Sequence, residues 1–287
     1  MSARAQSLGP VAEVADDART PPEIALIYDD IRMTMGNPVV NLVFRRLAAL
    51  GVPVLSMAWQ GLRPAYADGR LNALADALAP PVPGRAPVSD WADRQEGATM
   101  RRIVLDYDGN NRRNLIAFSA LLGPVAGDGP AVRAPEGSRR AARADPWLAA
   151  MRAAPLAQAA PPLPDPATLD AATRACLDRL DAFGDPGSGP PRASLYRHLA
   201  HWPGFLHSAE AALAPLHDSG VLAQATAAMQ QRAARAVRLL PDLAMDSAFQ
   251  ARIDPAIGAL VRRIIPKMVP IGRALGAMLL PEHGGEG

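Results

Sequence analysis

Pro38-Val39-Val40-Asn41-Leu42-Val43-Phe44-Arg45-Arg46-Leu47-Ala48 lies over Pro190-Pro191-Arg192-Ala193-Ser194-Leu195-Tyr196-Arg197-His198-Leu199-Ala200, 152 positions further along the chain. One residue is then lost, and Leu55, Leu62, Pro64, Gly69 and Leu71 meet Leu206, Leu213, Pro215, Gly220 and Leu222 at an offset of 151. Further on, Ala117 to Leu122 resembles Ala274 to Leu279. A unit of roughly 100 residues repeated twice is too long for a solenoid. The reading is two similar helical halves related by a pseudo-two-fold axis, with a cleft between them as the natural ligand site.

Outward from these segments the pattern is helical throughout. Ile24, Ile27, Tyr28 and Ile31 recur at helical spacing behind Pro21 and Pro22, which suit a helix start. Further helices are expected at Leu42 to Ala49, at Val54 to Leu62 with a stop before Pro64, and at Leu71 to Leu78. Two more, Trp91 to Leu105 and Asn114 to Leu122, flank a polar insert, Asp106 to Arg113, read as a turn. After a Pro-, Gly- and Ala-rich stretch with a brief helical window at Pro146 to Ala153, helical patterns resume at Leu169 to Leu180 and Leu195 to Ala200. They continue at Phe205 to Leu213, Val221 to Leu240, Ala256 to Ile265 and Val269 to Leu280, the last pair read as broken by Pro266 and Pro270. No run alternates with period 2, so the fold is read as all-α. The organisation expected is a loose tail over 1–22, a first helical repeat over 23–123, a linker over 124–168, a second repeat over 169–281 and a short tail over 282–287.

Composition narrows the function classes. The 287 residues are 49% apolar and 20% charged, enough to build a soluble core. The 30 basic residues, all arginine except Lys267, are spread among 28 acids, so there is no nucleic-acid footprint. No uncharged apolar run is long enough to cross a bilayer, and the N-terminus lacks a signal-peptide pattern, so a cytoplasmic protein is expected. Cys176, the single cysteine, reads as a buried, inert thiol. Four histidines, His198, His201, His207 and His217, lie close together, but not at the i, i+4 spacing of a helical zinc pair. Gly184, Gly187 and Gly189 do not open a phosphate loop, and the run from Asp106 lacks the terminal glutamate of a calcium loop.

The stretches Ile27-Tyr28-Asp29-Asp30-Ile31, Pro38 to Leu47, Ala58-Trp59 through Leu62-Arg63-Pro64, Tyr107 with Asn111 and Asn114-Leu115, and Leu195 to Pro203 touch both halves. On these the chain resembles the group I (DL-type) 2-haloacid dehalogenases, also labelled halocarboxylic acid dehydrogenases. The resemblance implies an all-helical fold of two similar halves, often a homodimer, with the active site between them. It implies hydrolysis of 2-haloalkanoic acids by direct attack of water, without a covalent enzyme ester, a cofactor or a metal. Such chemistry needs a general base beside one water, an amide or hydroxyl to orient it, donors for the substrate carboxylate and an apolar pocket for the halide.

Carried over residue by residue, the water-orienting asparagine falls on Asn114, with Asn111 as the neighbouring candidate. A threonine and glutamate pair of the family falls on Ser56 and Gln60. Asn41, Gln60 and Tyr196 are the expected substrate contacts. The aspartate that serves the family as base would stand just ahead of Tyr196, where this chain has Leu195. His198 lies one helical turn on and His201 another, making them possible replacement bases or simply solvated, backbone-bonded histidines. Two functions are therefore expected as alternatives: a hydrolase of the 2-haloacid dehalogenase type, or a non-catalytic relative that binds a small carboxylic acid in the same cleft.

Overall fold

The computed structural model describes residues 12–78, 90–123, 161–184 and 193–280, and the helical window expected at 146–153 lies outside them. The elements are α1 (Pro22–Met35), α2 (Leu42–Ala49), α3 (Val52–Ala67), α4 (Arg70–Leu78) and α5 (Gly97–Leu122), then α6 (Ala171–Ala182), α7 (Ser194–Leu199), α8 (Pro203–Asp218) and α9 (Val221–Val237). The chain closes with α10 (Ser247–Ala259), a π-helical segment (Leu260–Ile264) and α11 (Ile265–Ala277). Among the described residues there is no strand. The helix bounds keep the offset seen in the sequence, since α3 and α8 are both 16 residues long and start and end 151 positions apart. Buried apolar side chains from both sides of the Pro-rich stretch form one cluster.

The polar stretch Asp106 to Arg113, expected as a turn, is the middle of α5, which continues unbroken for 26 residues. A backbone buried at the centre of a protein must satisfy its own N–H and C=O groups, and a helix does so without help from neighbours. Side-chain polarity is met separately. Arg112, 1% exposed, donates to the Ala75 carbonyl at 3.0 Å and pairs with Asp108, itself fully buried, at 3.2 Å. Asn110 accepts from Arg113 at 2.6 Å, and Asn114 accepts from the Tyr66 hydroxyl at 2.6 Å. α5 packs chiefly against α11, and also against α4 and α9. Its start is set by Gly97, where a Cβ would stand 2.4 Å from the Trp91 carbonyl oxygen.

Prolines do not end helices where the sequence suggested. α3 runs through Pro64, and α8 and α10 run through Pro215 and Pro255. In each case the residue four places back, whose carbonyl loses its partner, is exposed (Gln60, Ala211, Ala251) and can be hydrated instead. Pro270 lies inside α11, and Pro266 follows the π-helical segment without breaking the rod. The carbonyl that Pro266 strips of its donor, that of Arg262, accepts from Gln230 of α9 at 2.6 Å. A wide turn there is thus stabilised from outside the helix.

The N-terminal stretch is less loose than its composition implied. From residue 12 on it lies against α1 and α2, with Val14 N–H on the Arg45 carbonyl at 3.0 Å, the Val14 carbonyl on the Tyr28 hydroxyl at 3.0 Å and Asp16 on Arg32 at 2.5 Å. Asp30 ties α1 to α3 by accepting from Trp59 Nε1 and Arg63 Nε, both at 2.7 Å. Since breaking a buried ion pair from one side costs about 3–5 kcal/mol, Asp108→Ala is expected to lower the urea-unfolding free energy by that order. A loss under about 1 kcal/mol, the scale of an exposed pair, would show that the pair does not hold the core.

Candidate functional site

Two small cavities meet where the start of α2, the middle of α5 and the start of α7 converge. Both are lined by Asn41, Leu42, Tyr107 and Ser194, so residues from both sides of the Pro-rich stretch contribute. The polar one, about 20 Å³, adds Arg45, Asp106, Asn110 and His198. Its neighbour, about 30 Å³, adds Asn111 and an apolar wall that includes Leu195, Leu260, Ile264, Ile265 and Met268. A water needs roughly 10–15 Å³, so each as it stands has room for one or two waters.

Local sequence explains the placement. Asn41 caps α2 by accepting from Val43 N–H at 3.1 Å, which fixes its side chain at the helix start. Arg45 follows one turn later on the same face, as Asn111 follows Tyr107 on α5 and His198 follows Ser194 on α7. The wide turn at Leu260–Ile264 lines the apolar wall through Leu260 and Ile264.

His198 is the most informative of these residues. It is 1% exposed, and its Nε2 lies 2.6 Å from the Pro161 carbonyl oxygen. A carbonyl only accepts, so Nε2 carries the proton and Nδ1 of the neutral ring is a bare acceptor. That Nδ1 is buried with no hydrogen-bond partner, as are the Tyr107 hydroxyl and Arg45 Nε. Three residues lining one water-sized space thus bring one unmet acceptor and two unmet donors. Burial holds the His198 pKa below its ordinary 6.5, with the Pro161 carbonyl opposing, so the ring is neutral at pH 7. Burial also pushes the Tyr107 phenol up to about 12, which keeps its hydrogen available for donation. Asp106 sits at the edge of the cavity, bonded to Arg102 at 2.9 Å, and burial raises its pKa.

The sequence-derived candidates divide accordingly. Asn41, Asn111 and His198 come together. Asn114 does not line these cavities; it is buried between α3 and α5 with its Oδ1 on Tyr66 and its Nδ2 unpartnered. Ser56 accepts from Gln60 Nε2 at 3.1 Å on the outer side of α3, and neither lines these cavities. Tyr196 is buried with an unpartnered hydroxyl and lines neither cavity. His201 is exposed beyond the end of α7, on the Pro162 carbonyl at 2.8 Å. Arg45, Tyr107, Asn110 and Ser194 were not singled out from sequence as site residues, although the i, i+4 spacing of three pairs carries the signal. Cys176 is buried, and its thiol is pushed up to about 12 by burial, as expected of an inert group. Among the described residues, no cluster of His, Cys, Asp or Glu could hold a metal, and no helix is long and apolar enough to cross a membrane.

No protein-family model matches the chain, and no curated protein matches it. Solved structures do. A D-2-haloacid dehalogenase mutant in complex with D-2-CPA is similar over 94% of this chain and 96% of that one, with a TM-score of 0.65 and 18% identity. A second mutant structure of D-2-haloacid dehalogenase matches over the same shares with a TM-score of 0.64. At this identity the likeness establishes a shared fold.

Because His198 binds its proton less readily folded than unfolded, the unfolded chain takes up more protons below pH 6.5, and stability is expected to fall as pH drops through that value. His198→Gln, which can still donate to Pro161, should remove this part of the slope between pH 7.5 and 5. Identical slopes for the two proteins in urea unfolding would contradict the assignment.

Proposed function

We propose that the chain is a haloacid dehalogenase-like hydrolase of the group I (DL-type) kind in which His198 has taken over from the missing aspartate. The observation that carries this reading is the bare, buried Nδ1 of a neutral imidazole on a cavity the size of a water molecule. The likeness in fold, which spans nearly the whole of both chains, supports the class of reaction. The matching bounds of α3 and α8 support two halves related by a pseudo-two-fold axis, with the cavities at their junction.

In this mechanism His198 Nδ1 accepts a proton from water as the water oxygen forms its bond to C2 of a 2-haloalkanoic acid. The carbon–halogen bond breaks in the same step, and the halide leaves with the bonding pair toward the apolar wall of Leu260, Ile264 and Met268. Asn41 and Asn111 orient the water, and Arg45 Nε with the Tyr107 hydroxyl receives the substrate carboxylate. A neutral histidine suits the base role because it needs no counter-charge in a desolvated site. The aliphatic side chain of Leu195, in the wall near Asn111, favours a second reading: a non-catalytic protein that binds a small carboxylic acid there.

Halide release from each enantiomer of 2-chloropropionate separates the two. Release above buffer is expected for the wild type, and His198→Ala should lower it by about 10²- to 10⁴-fold, the usual worth of a positioned base. Asn111→Ala should also cut the rate, Asn114→Ala should act on stability alone, and Leu195→Asp should raise the rate. No release from either enantiomer sinks the hydrolytic reading and leaves the binding one.

A further inference from the structure

On the outer side of α5 a groove of about 360 Å³ opens between the end of α1, α4 and α5. It shares Asn37, Asp106 and Asn110 with the polar cavity, so the two spaces adjoin across those side chains. The groove is within the roughly 300–1,000 Å³ of ordinary small-molecule sites, and the inner cavities are far smaller.

Its three arginines are not held alike. Arg102 is bonded to Asp106 at 2.9 Å, and Arg112 is held by Asp108 at 3.2 Å and Asp76 at 3.6 Å. Among the described residues Arg113 has no carboxylate in contact, although Asp106 and Asp76 act on it from further off. Its three acceptors are neutral oxygens: the Met35 carbonyl at 3.1 Å, Asn72 Oδ1 at 3.3 Å and Asn110 Oδ1 at 2.6 Å. Burial, with the neighbouring Arg112, lowers its pKa, while Tyr66, Asp106 and Asp76 oppose the shift. Three anchors on a five-donor fork fix the guanidinium plane and leave part of its donor set for a ligand.

We propose that the groove is a carboxylate subsite centred on Arg113, and that the acids this protein takes are dicarboxylic, with one carboxylate on Arg113 and the 2-carbon end reaching past Asn110 to Arg45, Tyr107 and His198. The identity of the inner end rests on the hydrolase reading given above. The neutral contacts of Arg113 and the room in the groove stand apart from it.

Titration calorimetry on the full chain with 2-hydroxy acids, the product class, tests this without turnover. Malate and 2-hydroxyglutarate are compared with 2-hydroxybutyrate and 2-hydroxyvalerate, monoacids of matching length. The expected result is at least tenfold tighter binding of the diacid in each pair and loss of that preference in Arg113→Gln. Asn72→Asp, at an exposed position, sets a carboxylate against Arg113 without removing an anchor, and should weaken diacids while sparing monoacids. Equal affinity within each pair, or a preference that survives both substitutions, overturns the subsite alone. Failure of every acid to bind overturns it together with the reading of the inner cavities.

Discussion

Burying the polar middle of α5 is the constraint from which the remaining architecture follows. Asp108, Asn110, Asn111, Arg112 and Asn114 are all nearly or wholly removed from water within seven residues of one helix. Each buried polar group left unmet costs about 1–3 kcal/mol, more if charged, so the neighbours of α5 must bring partners to it. α3 brings Tyr66 and α4 brings the Ala75 carbonyl. Unmet atoms remain at several places, among them Arg46, Asn114 and Tyr196, but those of Tyr107, His198 and Arg45 belong to residues on one cavity. Three such groups on one water-sized space leave room there for a solvent molecule or ligand.

This constraint also decides what the amino-acid sequence could reveal. The helices around α5 were legible because their apolar residues recur with the helical period. α5 itself was not, since polarity in the run from Asp106 to Arg113 is the usual mark of a surface turn and here marks a buried rod. The prolines misled for a related reason. A proline removes one donor, but the cost depends on whether the stranded carbonyl can find water or another donor, and exposure at Gln60, Ala211 and Ala251 is a property of packing. The same shift affected the site. With the insert read as a loop, Asn114 stood as the first candidate and Asn111 as its neighbour; on α5 Asn114 is taken up by Tyr66, and only Asn111 lines the cavity with Leu195.

The end of the Pro-rich stretch has a part in the site that no motif announces. The carbonyls of Pro161, Pro162 and Pro164 accept from His198, His201 and Arg197, so the strand of chain entering the second helical run grips the exposed and buried faces of α7 together. A proline has no N–H to donate, so its carbonyl is the one main-chain polar group it offers. The electronic state of the buried imidazole is thereby set by main chain that a motif search would pass over as a connector.

The wide turn at Leu260–Ile264 has a consequence for how such a chain can change its length. A π turn holds one residue more than an α turn, and each residue of an α-helix advances the chain by about 100° around its axis. Deleting a single residue there would restore ordinary pitch and leave the side chains of α11 facing as they do, because the wide turn spends its extra residue on about the same rotation. The same deletion in the ordinary helix just after Ile265 would instead rotate everything beyond it by about 100°, and Met268 would leave the cavity wall. The segment is thus a place where the chain can gain or lose one residue without re-aiming the wall of the site.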